Sequence, residues 1–148
     1  MATSKMKRKV ATLNGYSLYG DKTTSDVGIF KEMVSTSLSS STTIASSSSY
    51  NKYICPITLT KGSWLVRYRV YFPANTTGVR AMALYQGSNS VWDYTNVQKA
   101  APPAGQMALV NVAVINITAN ITTVGIALLQ NSGSTLTIST AEIGALKL

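Results

Sequence analysis

Asp21, Asp26, Glu32, Asp93 and Glu142 are the only carboxylates in a chain of 148 residues that contains no histidine. Without imidazole, the usual general base and the commonest metal ligand are both missing. The many serines therefore have no Ser-His pair, and no GxSxG elbow or SxxK sequence stands in for one. Each acid is isolated in sequence, so a glycosidase-type pair has to be assembled in space. Asp93 and Glu142 are the two that a carbohydrate-cleaving module would bring into one cleft. Cys55, the single cysteine, excludes an intrachain disulfide and a thiolate metal cage, and within YICPITL it reads as a small buried apolar residue. No phosphate loop, dinucleotide fingerprint or EF-hand spacing occurs. The expectation is a protein that is not an enzyme and takes no cofactor and no metal.

Binding chemistry is better represented. Tyr85, Trp92 and Tyr94 are receptor-contact candidates, because flat rings stack on sugar faces and anchor interfaces; alternatively, Trp92 simply pins a long loop to the body. Net charge is +8, and Lys5, Lys7, Arg8 and Lys9 gather much of it in SKMKRK near the start. Such a cluster is either a solvated tail or an arm that docks on an anionic surface. No groove-reading motif or interleaved aromatics accompany it, so nucleic acid is not the expected partner. Behind these charges there is no apolar run, and no segment approaches the roughly 18 apolar residues of a membrane span. Neither export by its own signal nor membrane insertion is expected. Asn75-Thr76-Thr77, Asn116-Ile117-Thr118 and Asn120-Ile121-Thr122 match the glycosylation triplet but read as turn and strand residues.

The elements that must carry these residues are strands. In KGSWLVRYRVYF, residues 61–72, strand periodicity puts Trp64, Val66, Tyr68, Val70 and Phe72 on one face and Leu65, Arg67, Arg69 and Tyr71 on the other. The first set is a core stripe; the second suits solvent or a subunit interface. From Tyr53 on, β-branched and aromatic runs alternate with turn chemistry, which predicts strands at 53–59, 63–72, 79–86, 106–117, 121–130, 134–140 and 142–148. Lys61-Gly62, the 73–78 segment and Asn131-Ser132-Gly133 are the expected separators. Residues 90–105, with Pro102-Pro103, read as a long irregular loop. Strand-like, hydroxyl-rich sequence at 30–45 leads into a loop at 46–50. The expected organisation is a basic irregular arm over 1–28, with one short strand at Val10 to Leu13, followed by an antiparallel two-sheet β-sandwich over 29–148.

Two strands are apolar on both faces. Met107, Leu109, Ala113, Ile115 and Ile117, interrupted by Asn111, oppose Ala108, Val110, Val112 and Val114; in ITTVGIALLQ, Val124, Ile126 and Leu128 oppose Ile121, Ala127 and Leu129. A two-layer sandwich needs only one dry face per sheet, so the second faces call for cover from another subunit. The charged fraction of 12% is about half the usual share, which also favours an oligomer. Arg67, Arg69, Tyr71, Val110, Val112 and Val114 are the interface candidates. Buried arginines there would need partners such as backbone carbonyls, Asp93 or Glu142.

The run LTKGSWLVRYRVYFPANTTGVRAMAL, with Gly62-Ser63-Trp64 and Gly78-Val79-Arg80, resembles the central strands of trimeric jelly rolls of the complement-globular-head and tumour-necrosis-factor kind, as found at the ends of bacteriophage tail or head fibres. LLQNSGSTLTI is similar to the penultimate hairpin of that family and GALKL to its closing strand. The resemblance covers about residues 53–148. It implies a homotrimer, partnership with other virion proteins, placement at the virion surface in fibre or capsid, and attachment to a host cell-surface glycan or protein. A particle-stabilising capsid decoration is the alternative, with the carbohydrate-cleaving module as a third.

Overall fold

A computed structural model describes residues 8–13, 16–20, 32–87, 90–100 and 105–148. Two long strands organise it, β5 (Lys52–Phe72) and β9 (Met107–Gln130), which pair antiparallel from Lys52↔Leu128 to Phe72↔Met107. Each crosses both layers of the sandwich. Where two separate strands and a Lys61-Gly62 turn are expected, each chain instead runs on through a bend. The register slips between Thr60↔Ile121 and Gly62↔Ile117, leaving residues 118–120 of β9 opposite Lys61. Gly62 permits the bend, because its φ of +140° is closed to other residues. The slip also changes which residues face inward: Ile57 and Leu59 are buried before it, and Trp64, Val66, Tyr68, Val70 and Phe72 after it. Lys147 clasps this corner, donating from Nζ to Thr60 Oγ1 at 2.6 Å, with the Glu32 carboxylate at 3.5 Å and the Trp64 ring centroid at 5.4 Å.

The first layer contains β3 (Met33–Ser37), β11 (Thr140–Lys147), the C-terminal half of β5 and the N-terminal half of β9. The second contains the other halves of β5 and β9 with β6 (Val79–Gln86), along which β7 (Ser90–Val91) and β8 (Val97–Ala100) pair. A ribbon of β4 (Thr42–Ile44) and β10 (Leu136–Ile138) adds Ile44, Leu136 and Ile138 to the core between the layers. The fold is an all-β, antiparallel two-sheet sandwich of jelly-roll type. Within 1–28, β1 (Arg8–Leu13) and β2 (Tyr16–Gly20) form a two-stranded hairpin where an irregular arm with a single strand is expected.

The second half of β9, paired with the first half of β5, corrects one expectation. Ala127 is fully buried within the protomer and Leu129 half-buried, leaving only Ile121, at the bend, exposed. Their cover is intramolecular. Tyr53 pairs with Ala127 and Tyr85 with Gly125, and the two rings meet edge to face at 5.0 Å and 74°. No second subunit is needed there.

Arg80 is a burial that strand periodicity does not reveal. It is 1% exposed and has carbonyls as partners: Nη1 donates to Thr77 O at 2.9 Å and Val79 O at 3.1 Å, and Nη2 to Asn75 O at 3.3 Å. Burial pushes its pKa down.

Candidate functional site

The outer face of the first layer is where the interface candidates meet. Val110, Val112 and Val114 of β9 are 49%, 52% and 57% exposed, and cross-strand pairing sets them beside Arg69, Arg67 and Leu65 of β5. Leu146 of β11 continues the Val114–Leu65 row, and the exposed Met33 of β3 ends it. Among the described residues, no strand pairs with the outer edge of β9 between Met107 and Ile117. An apolar stripe thus lies along a strand with unpaired backbone groups, a combination that soluble proteins normally cover.

Beside the stripe the face becomes polar. Arg69 Nη2 donates to Glu142 Oε2 at 2.9 Å; its Nε approaches Oε1 to 2.7 Å, a charge contact too bent to serve as an aligned hydrogen bond. Its guanidinium also sits 5.6 Å from the Tyr71 ring centroid. The Arg67 side chain is 60% exposed and only 3.7 Å from Glu142 Oε1. Glu142 is thus the carboxylate that serves both arginines. Toward β3 the face dips into a depression of about 620 Å³ lined by Ser35, Ser37, Ser39, Arg67, Glu142 and Gly144. Asp93 does not line it. The cleft in which Asp93 and Glu142 converge is not formed there.

The aromatic candidates do not form one platform. Tyr85 is 6% exposed and packed edge to face against Tyr53, so it is not available as a contact. Trp92 packs against the core and pins residues 90–100 of the expected loop to the body. Tyr94 alone is exposed, at 65%. Residues 90–100 are more regular than a long irregular loop: besides β7 and β8 they contain a 3₁₀ turn, Asp93–Thr95. A buried latch holds the turn. Tyr68 Oη donates to the Thr95 carbonyl, Asn111 Nδ2 donates to Tyr68 Oη at 2.9 Å and to Thr95 O at 3.1 Å, and Thr95 Oγ1 accepts from Leu84 N at 2.8 Å. Tyr50 braces the same turn through a 2.7 Å bond to Asn96, and its hydroxyl pKa is pushed up to about 12, chiefly by burial and then by Tyr68 and Asp93.

Of the basic cluster, Lys5 and Lys7 lie outside the described residues; Arg8 and Lys9 fall in β1, where only the backbone pairing is described. Among the described residues no three His, Cys, Asp or Glu side chains gather as a metal site, and no helix is long and apolar enough to cross a membrane.

The architecture defines a jelly-roll protein with a half-bare outer sheet. No protein-family profile matches the chain, and no curated protein sequence does. Its fold is similar to that of the Eiger TNF from S. frugiperda, with a TM-score of 0.53 at 9% identity over 78% of this chain and 92% of that one. It is also similar to a chain in the structure of the infectious bursal disease virus Gt strain, with a TM-score of 0.50 at 7% identity. That match covers 95% of this chain but only 38% of the viral one, so this chain spans about two-fifths of the viral chain's length. At such identities the likeness is one of fold.

Proposed function

We propose that this chain is a non-enzymatic bacteriophage virion protein, a three-fold trimer displayed at the particle surface as a fibre knob that attaches to a host-cell glycan or protein. The observation that carries the reading is the exposed Val110-Val112-Val114 stripe on the unpaired edge of β9. Its simplest occupant is another copy of the chain: a head-to-tail contact between this edge and a neighbouring copy closes into a ring where the rotation between copies allows, and three-fold closure is what the jelly-roll resemblance implies. Arg67, Arg69 and Tyr71 then lie at the rim of the contact. Lys5, Lys7, Arg8 and Lys9 supply a docking arm toward other virion proteins.

Light scattering of the full chain tests this. The expected mass is three times 15.8 kDa, and Val112→Asp, which buries a charge in the interface, gives monomers that keep their β-rich circular dichroism. A wild-type monomer at micromolar concentration overturns the proposal.

A second reading, a capsid decoration that stabilises the particle, draws on the likeness to a viral chain that takes in nearly all of this one. Purified trimer that binds host cells favours attachment; trimer that binds only particles favours decoration.

A further inference from the structure

We infer that the depression between β3, β11 and β5 binds a carboxylate-bearing sugar residue. The inference rests on the attachment reading above and gives it a ligand class and a place.

Charge comes first. Arg69 engages both oxygens of Glu142, while Arg67 has only a 3.7 Å approach to that carboxylate. Arg69 stands outside the lining and already neutralises Glu142, which leaves Arg67 as the uncompensated charge of the depression. The exposed fork of Arg67 is free to take a second carboxylate in two parallel hydrogen bonds. The hydroxyls come next. Ser35 and Ser37 point outward from alternate positions of β3, and Ser39 follows; among the described residues no hydrogen bond engages any of the three side chains. Each offers one donor and two acceptor lone pairs, the inventory that polyol recognition uses.

Between the two sets the floor is bare. Gly144 is the cross-strand partner of Ser35 on one side and Arg67 on the other. A Cβ at Gly144 would find its nearest neighbour, Ser35 Cβ, 3.8 Å away. Serine and arginine therefore stand two strand spacings apart, roughly 10 Å, with open space over the glycine for one pyranose ring. The volume of about 620 Å³ suits a small ligand. No aromatic side chain lines the depression, so the stacking used for nucleobases and neutral sugar faces is missing. Recognition falls to the carboxylate and the hydroxyls together.

The test is a matched pair of glycosides, methyl α-galactopyranosiduronate with its free carboxylate and methyl α-galactopyranoside, which differ in a carboxylate against a hydroxymethyl group, titrated into the full chain by ligand-observed NMR with acetate as a third probe. The galacturonate is expected to bind at least about tenfold more tightly than either of the others. Arg67→Gln should abolish that preference, and Gly144→Val, which fills the floor, should abolish binding. Ser37→Ala, at an exposed position, should leave the fold intact and weaken binding severalfold. Equal affinity for the two glycosides, full competition by acetate alone, or an unchanged preference in Arg67→Gln each overturns the inference. Light scattering of the same samples separates the two proposals: a trimer without the preference sinks this inference alone, and a monomer that retains it sinks the trimer alone.

Discussion

Asn111 occupies an inward-facing position in β9, between Leu109 and Ala113, where strand periodicity calls for an apolar side chain. The sequence shows the interruption without its cause. Its partner, the Thr95 carbonyl, belongs to a segment whose path no local pattern dictates. Asn111→Leu keeps apolar volume but strips Tyr68 Oη and Thr95 O of a donor; a loss of about 1–2 kcal/mol is expected in urea unfolding. With Tyr68→Phe the two losses should be non-additive, since both act through one latch. Proteolysis between residues 90 and 100 should accelerate in either variant. Arg80 teaches a similar lesson, because only the folded 73–78 segment brings the carbonyls of Asn75 and Thr77 to it. Tyr50 makes the latch sensitive to alkali. Its folded pKa of about 12 lies above the ordinary 10.0, so its contribution is complete below pH 10 and disappears as pH rises through 12. Unfolding measured from pH 9 to 12 should show a shallower decline for Tyr50→Phe than for the parent chain.

At the scale of elements, strand existence was legible and strand continuity was not. Flanking turn chemistry located β6 at Val79–Gln86, which is buried on both faces, and alternation placed Trp64, Val66, Tyr68, Val70 and Phe72 in the core, because burial of one face imposes a period of two. The Lys61-Gly62 pair, in contrast, reads equally as a turn or a bend; the closing of the two layers, rather than local chemistry, selects the bend. The β1–β2 hairpin had a usable signal. Leu13 pairs with Tyr16, and the intervening Asn14-Gly15 is the dipeptide favoured in two-residue hairpin loops. Close approach between elements gives the prediction proper to this scale. A Cβ at Gly125 would lie 2.5 Å from the Tyr85 ring and 2.8 Å from Ile54 O. Gly125→Ala should therefore cost about 1–3 kcal/mol in thermal or urea unfolding, and Tyr85→Leu should recover part of it.

For the whole molecule, the sequence marked both halves of β9 as apolar on two faces, and the structure separates them. Around Ala127 the protomer uses Tyr53 and Tyr85, rings from strands distant in sequence, which explains why composition alone could not show the cover. Around Val112 the outer face stays bare, as alternation implied. The continuous passage of β5 and β9 through both layers bears on how the protein fails under load. Main-chain bonds stitch one layer to the other, so neither can peel away while its companion survives, and a pulling force finds no seam to open. Hydrogen exchange should accordingly report one shared opening free energy for slow amides on either side of Gly62, where a sandwich joined by side-chain packing alone would release its layers in turn.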